Sequence, residues 1–198
     1  MSQLSEVELR NFVGKELKDI YGRNLGRVIG LLINEDGELE AVRIEMADRS
    51  LAKYPSELLS FDMSGVVLIP SWRIEVDHVT RDIAIARKRI QALDDLLKAG
   101  DVSQNIYEEL SETQKDSMSQ MKERHESLLR KLTKKCEELR RQIDEMAKFL
   151  VDVKLEYKSN QIEEKEYKVA YNAIQMSLNA AIAEKKDLEG ALARLTQS

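Results

Sequence analysis

The amino-acid sequence predicts an α+β protein in which a small N-terminal β-barrel is followed by a long helical coiled-coil hairpin region of about three helices. Both prolines and most glycines lie in the first eighty residues, where short apolar segments alternate with turn residues. From Thr80 onward, apolar residues recur every three or four positions, which is the spacing of a coiled coil. Charged residues make up 34% of the chain and aromatic residues 5%, a balance that favours long solvated helices over one large core. We therefore expect a β domain over residues 1–79 and coiled-coil helices over residues 80–198.

The first domain contains several short strand-like segments separated by turn signals. Asp19-Ile20-Tyr21-Gly22 predicts a turn, and Asn34-Glu35-Asp36-Gly37 predicts a hairpin. After that hairpin the chain alternates between apolar and charged side chains, as a half-buried strand does. The predicted strands are residues 12–17, 25–33, 40–46 and 66–69. Short strands with frequent turns are typical of a small β-barrel.

This first domain resembles a PRC-barrel over about residues 10–72. The resemblance rests on Val13-Gly14-Lys15-Glu16-Leu17, the run from Asp19 to Val28, the acidic Asp-Gly hairpin, Tyr54-Pro55-Ser56-Glu57-Leu58 and a closing Val-Val-Leu run. PRC-barrels serve mostly as docking modules, in photosynthetic reaction centres, ribosome maturation and archaeal cell division. The resemblance therefore implies a docking domain, and it does not choose among these settings.

A weak internal repeat, offset by sixty residues, indicates where the helices end. Gly100 and Asn160 occupy the same place in the repeat, and these residue types best tolerate the left-handed conformation that ends a helix. We expect both to reverse the chain. The predicted helices cover about residues 80–98, 103–158 and 163–196, and Thr80 is the predicted N-cap of the first of them. At ~1.5 Å per residue the middle helix would be ~80 Å long. It exceeds both neighbours, so part of its apolar stripe needs another copy of the chain.

The middle helix carries the strictest coiled-coil pattern in the sequence. For four heptads its apolar residues alternate gaps of three and four, which places them along one seam. We predict that this seam is the interface of a homodimer. Its residues are Leu129, Leu132, Cys136, Leu139, Ile143, Met146, Leu150, Val153 and Tyr157.

Few residues are arranged for catalysis or for binding a metal or cofactor. His78 and His125 are far apart in the sequence, and neither has a cysteine or histidine at ligand spacing. Cys136 occupies a core position of the coiled coil, where a small apolar residue is expected. The glycines at 22, 26 and 30 do not follow a dinucleotide or P-loop spacing. We therefore predict no catalytic residues, no cofactor and no metal, and a protein that is not an enzyme.

One basic cluster is a candidate for nucleic-acid contact. Arg130, Lys131, Lys134 and Lys135 lie close together on the middle helix, in a geometry suited to phosphates. Acidic residues follow closely, so the same cations could instead flank a coiled coil and set its partner and register. Residues 1–79 hold nine basic and fourteen acidic side chains, and residues 80–198 hold twenty-two of each. Neither half is a basic footprint, so any DNA contact depends on a local cluster.

The cysteine count, the apolar runs and the N-terminal residues indicate the cellular compartment. A single cysteine leaves no disulfide within the chain, and no apolar run has the ~18–20 residues that a membrane span needs. The first residues lack the basic start and the apolar core of a signal peptide. We expect the protein in the reducing cytoplasm.

The pairing of a PRC-barrel with a long coiled coil resembles the CdvA family of archaeal cell-division proteins over the whole chain. The resemblance implies a cytoskeletal protein that polymerises into filaments, associates with DNA, and positions the ESCRT-III-like partner CdvB at the division site. Any membrane contact would be indirect. Family members carry a C-terminal tail peptide that binds a winged-helix domain of CdvB, whereas this sequence reaches Ser198 within a helical pattern. Either that tail has been removed or recruitment of CdvB works differently.

Two other classes of function stay open. The first domain could be an adaptor in ribosome or RNA maturation, although that role favours a basic face and leaves the coils without a purpose. It could also be the accessory subunit of an enzyme complex. A discrete oligomer with one stoichiometric partner would favour either of these over a filament.

Overall fold

The computed structural model describes residues 6–62 and 65–197, and the chain is α+β, as the sequence predicts. The N-terminal part contains one short helix and six strands. Three long helices follow it. The elements are α1 (Glu6–Arg10), β1 (Glu16–Asp19), β2 (Asn24–Ile33), β3 (Leu39–Met46), β4 (Leu51–Pro55), a short 3-10 helix (Ser56–Leu58), β5 (Leu59–Asp62), β6 (Gly65–Leu68), α2 (Ser71–Ala99), α3 (Gln104–Lys158) and α4 (Glu164–Gln197).

The six strands form one open sheet, whereas the sequence predicts a small β-barrel. Their order is β4-β3-β2-β1-β6-β5, and every pair is antiparallel except β1 with β6. Among the described residues, the edge strands β4 and β5 do not pair with each other. Only the three residues of the 3-10 helix join them, so the sheet has to curl until its edges approach. Pro55 ends β4 at this junction and has no N–H to offer a further strand, which opposes closure.

Strand positions differ from the prediction in two places. The predicted strand over residues 12–17 begins only at Glu16, because the chain makes a turn after α1. Strands β4 and β5 carry weak apolar patterns and were not predicted as separate strands. The resemblance to a PRC-barrel stays a prediction for this part of the chain, which we call the β head (residues 6–70).

One apolar cluster holds the β head together. Inward-facing side chains from five strands are buried in it, and partly buried residues such as Phe12, Tyr54 and Phe61 pack around them. In β3 the buried Val42 and Ile44 are alternate residues, because successive side chains point to opposite faces of a sheet. The buried members are Leu17, Val28, Val42, Ile44, Leu59 and Val66.

Helix α2 begins at Ser71, nine residues before the predicted N-cap at Thr80. It starts directly after Pro70, and its buried Trp72 and Val76 extend the apolar stripe of the helix toward the N-terminus. Thr80 therefore lies inside the helix. Its hydroxyl is buried and has no hydrogen-bond partner among the described residues.

Both helix reversals share one hydrogen-bond pattern. Gly100 has a φ of 80° and Asn160 a φ of 58°, both in the left-handed region. The residue after Gly100 donates its N–H to the carbonyl of Leu96 at 3.0 Å, and the residue after Asn160 donates to Glu156 at 2.9 Å. Gly100 and Asn160 themselves donate to the carbonyls three residues earlier. This is the Schellman motif, which satisfies the last carbonyls of a helix.

The chain forms two compact units, and each combines segments that are distant in sequence. One unit contains the residues up to 71 together with Met146–Glu184, that is, the β head with the end of α3 and most of α4. The other contains Trp72–Glu145 and the last part of α4 from Lys185. Both units therefore use α3 and α4.

In the second unit three helices pack together. Lys131 on α3 pairs with Glu75 on α2 at 3.0 Å, and His125 on α3 contacts the carbonyl of Leu195 on α4 at 2.8 Å. Ion pairs also join α2 and α4 directly, and Arg194 contacts Asp77 at 3.0 Å. The core between the helices includes Trp72, Val76, Leu128, Leu132, Leu188 and Leu195, all of them buried.

Candidate self-association surface

The predicted coiled-coil seam is already used within the chain. In the three-helix unit Leu132 and Leu139 are buried, while Leu129, Cys136 and Ile143 are half-buried. In the unit with the β head the remaining seam residues, Met146, Leu150, Val153 and Tyr157, are half-buried. The helices of one chain thus cover part of the seam that is predicted to bind a second copy of the chain. Its contact with a second copy stays a prediction.

A group of tyrosines joins α3 and α4 next to Asn160. The rings of Tyr157 and Tyr167 are stacked, with centroids 4.4 Å apart, and Tyr171 follows with its centroid 5.6 Å from that of Tyr167. The ammonium of Lys154 lies 5.6 Å above the Tyr171 ring. Stacked aromatic pairs stabilise by about 0.5–1.5 kcal/mol beyond the area they bury. The stack therefore adds to the reversal at Asn160 in holding this hairpin together.

Helix α4 has a second apolar stripe, which the sequence analysis missed. Val169, Ala173, Met176 and Ala180 are spaced by four, three and four residues, so they lie on one face of the helix. This second stripe is distinct from the face of Tyr167, Tyr171 and later seam residues. The 4-3-4 spacing is a signal for it, but a weak one, because two of the four residues are alanines and the seam residues of the same helix are larger and more apolar.

The two halves of the second stripe are in different environments. Ala180 is buried near the β head, and the neighbouring Glu184 is also buried. Val169 is 67% exposed and Met176 is 71% exposed. A cleft of about 670 Å³ opens beside Met176, lined on the other side by residues of the β1–β2 turn such as Tyr21 and Arg23. The stripe is thus closed at its C-terminal end and open at its N-terminal end.

The β head contacts α4 through a buried charge cluster. Arg23 donates from Nε to Asp19 Oδ2 at 2.5 Å, and from an Nη atom to Glu184 Oε2. Burial opposes the charge on Arg23, but the hydrogen bonds to Asp19 and Glu184 outweigh it and hold the pKa of Arg23 above its ordinary value. Glu184 did not stand out in the sequence, because 161 residues separate it from Arg23.

The basic cluster on α3 is largely neutralised by nearby carboxylates. Lys131 pairs with Glu75, Arg130 with Glu126 at 3.7 Å, and Lys134 with Glu138 at 3.9 Å. Lys135 is half-buried and also has an interaction partner. The Lys131–Glu75 pair joins α3 to α2, whereas the other two pairs lie within α3. All three leave less positive charge for phosphates.

The residues considered for catalysis lie on two helices, His78 on α2 and His125 and Cys136 on α3. His78 is exposed, and Cys136 is half-buried on α3. The Nε2 of His125 donates a hydrogen bond to the Leu195 carbonyl, and this bond joins α3 to α4. Among residues 6–62 and 65–197, no group of three or more His, Cys, Asp or Glu side chains could hold a metal ion. Within the same ranges no helix is both long enough and apolar enough to cross a membrane.

Comparison with known proteins places the chain in a family. The family model of the CdvA-like coiled-coil domain matches residues 71–198, which are the three long helices. The chain is also 22% identical to Cell division protein A of Sulfolobus acidocaldarius over 187 residues, which cover 94% of this chain and 78% of that protein. The match includes the β head as well as the helices, and the family model covers well over half of the chain. The chain therefore belongs to the CdvA-like family.

Proposed function

We propose that this chain is a non-enzymatic, filament-forming scaffold of archaeal cell division that works in the cytoplasm at the division site. Membership of the CdvA-like family supports the cell-division role, as does the similarity to a protein named Cell division protein A. The long helices provide self-association and the β head provides a second contact. The two together build a polymer.

The open half of the second stripe on α4 is the observation that carries this proposal. Val169 and Met176 leave most of their side-chain surface in water, on a face where a solvated helix would have polar residues. Burying such a side chain completely is worth about 1.5–3 kcal/mol. A second copy of the chain is always present at the same concentration as the first, and its helices carry the same apolar faces. We therefore propose that a second copy covers this face.

A filament needs more than the helices. A pair of helical surfaces that is self-complementary closes into a dimer, whereas a polymer requires another contact that does not close. The β head offers two edge strands, β4 and β5, each of which pairs with one neighbouring strand among the described residues. We propose that these edges join dimers to one another.

The proposal includes CdvB and, secondarily, DNA. Positioning of ESCRT-III-like CdvB follows from the family resemblance, and a segment beyond Ser198 or another surface of the chain would bind it. DNA contact would use Arg130, Lys131, Lys134 and Lys135, whose charge partners would have to yield to phosphates. We therefore assign these cations first to helix packing and second to DNA.

A single substitution on the second stripe tests the self-association surface. We expect Met176→Glu to weaken self-association at least tenfold, because a carboxylate would have to leave water on the covered face. Gln175→Glu is the matched control, since it adds the same charge to the same helix at a position about 100° round the axis from Met176. Sedimentation velocity over a concentration series measures the effect, and negative-stain microscopy reports filaments. Equal association of the Met176→Glu and Gln175→Glu variants would remove this face from the interface.

A further inference from the structure

The β head and α4 share one cation between two buried carboxylates. Arg23 bonds to Asp19 within the β1–β2 turn and to Glu184 on α4. The Asp19 side chain is 8% exposed and the Glu184 side chain 4%, whereas that of Arg23 is 39% exposed. We call these three residues the Arg23 bridge. All three belong to the compact unit that contains the β head.

The two carboxylates have different roles in the Arg23 bridge. Asp19 Oδ1 accepts hydrogen bonds from the backbone N–H of Tyr21 and of Arg23, each at 2.9 Å, so it fixes the turn from which Arg23 extends. This arrangement depends only on the β head. Glu184 adds the bond that reaches α4. The Asp19 half is therefore preorganised, and the Glu184 half is the part that can be made or broken.

The surface of α4 beside Glu184 is made of small residues. Ala180 and Ala181 are buried and contribute little side-chain area of their own. The apolar cluster of the β head consists of strand residues and does not include Arg23 or any residue of α4. Loss of the Glu184 bond should therefore leave the β head folded while weakening its hold on the helix.

We propose that Arg23 is a positioning residue, and that its bond to Glu184 fixes the β head in one orientation on α4. When the charge of Glu184 is removed, Arg23 stays with Asp19 and the β head moves over a wider range on the helix. The β head and α4 thus form a hinged pair in which this charge-assisted contact limits the motion. This inference does not rest on the proposed function, because it concerns two parts of a single chain.

The distance between the β head and α4 tests the proposal directly. Spin labels are attached to the cysteines of Lys53→Cys in β4 and Lys165→Cys in α4, in a Cys136→Ser background. Pulsed electron paramagnetic resonance measures the distance between the two labels. The labelled chain is diluted tenfold into unlabelled chain to suppress distances between copies. We expect Glu184→Gln to widen the distance distribution at least twofold. Glu164→Gln, which neutralises an exposed partner of Lys168 on the same helix, should leave it unchanged. An unchanged width in Glu184→Gln would overturn the proposal.

Two further measurements separate positioning from a role in folding. Hydrogen exchange of the β2 and β3 amides should be the same in Glu184→Gln and in the unsubstituted chain. If those amides lose protection, Glu184 belongs to the fold of the β head and the proposal is wrong. Arg23→Met leaves two buried carboxylates without their cation, so it should lower the melting temperature of the β head. The double variant Arg23→Met with Glu184→Leu should recover the part of that loss that comes from Glu184, and losses that add up instead would also contradict the shared-cation arrangement.

Discussion

Gly26 illustrates how a single backbone position constrains the β head. Its φ is +153°, and a Cβ built on it would lie 2.1 Å from the carbonyl oxygen of Glu45 on the paired strand β3. A real Cβ atom never approaches an oxygen so closely, so β2 can pair with β3 in this register only with glycine at this position. The buried Val28 and Ile44 depend on the same register.

We expect Gly26→Ala to lower the stability of the β head by about 2–3 kcal/mol, because either the strand pairing or the backbone angle has to change. Gly30→Ala is the control in the same strand. A Cβ there would find its nearest neighbour, the Arg43 Cδ, at 3.8 Å, so we expect a change of less than about 1 kcal/mol. Hydrogen exchange of the β2 and β3 amides measures both. Equal protection in the two variants would show that the close approach carries no strain.

Among the elements, α4 has the most varied surroundings. One face carries the tyrosines that stack against α3, and the opposite face carries the second stripe. A coiled-coil helix with a single seam would have polar residues at Val169 and Met176. Its start is fixed locally, since the Glu166 carboxylate accepts from the N–H of Glu163 at 2.9 Å, the reciprocal half of a capping box. A helix with two apolar faces can join partners on both sides.

The reversal at Asn160 allows a prediction at the scale of the elements. The left-handed conformation, here with a φ of 58°, has a lower conformational free energy for asparagine than for most other residues that carry a side chain. We expect Asn160→Ala to destabilise the α3–α4 hairpin by about 1 kcal/mol, and Asn160→Gly to leave it unchanged or slightly more stable. The exchange rate of the Gln161 amide, which closes the Schellman motif, is the measurement. The same rate in the alanine and glycine variants would mean that the turn does not depend on the left-handed conformation.

In the proposed filament, the whole molecule combines two kinds of association surface. The helices have apolar faces that favour another helix, and the β head has edge strands that favour another strand. Because these surfaces differ in chemistry, contacts of one kind do not compete with contacts of the other. This separation is what a polymer built from dimers requires.

Removal of the β head tests this division of labour. A chain that begins at Ser71, where α2 starts, should remain helical and self-associated but should not form filaments. Circular dichroism and sedimentation establish the helical oligomer, and negative-stain microscopy at several concentrations establishes the absence of filaments. Filaments of normal appearance from the shortened chain would place the polymer contact in the helices. The full chain, prepared in parallel, is the control.

The sequence by itself determined the features that depend on neighbouring residues. The α+β class follows from a change of hydrophobic period along the chain, and that class is confirmed. Helices α3 and α4 begin within a residue of the predicted positions, because their ends carry local signals such as the left-handed Gly100 and Asn160. The CdvA-like family was also recognisable from these patterns, and the family match confirms it. Each of these features depends on local patterns of residue type along the chain.

Only the tertiary structure decided the features that join distant parts of the chain. The sheet is open because Pro55 at the end of β4 has no N–H with which to pair β5, and α2 starts at Ser71 because Trp72 is buried in a core. Glu184 looks in the sequence like one more solvated charge of a coiled coil, yet it is buried because Arg23, 161 residues earlier, supplies its cation. Met176 and Ala180 share one face of α4, but only the position of the β head makes one open and the other buried. Burial is a property of what packs against a residue, and local spacing contains no information about a partner so far away in the chain.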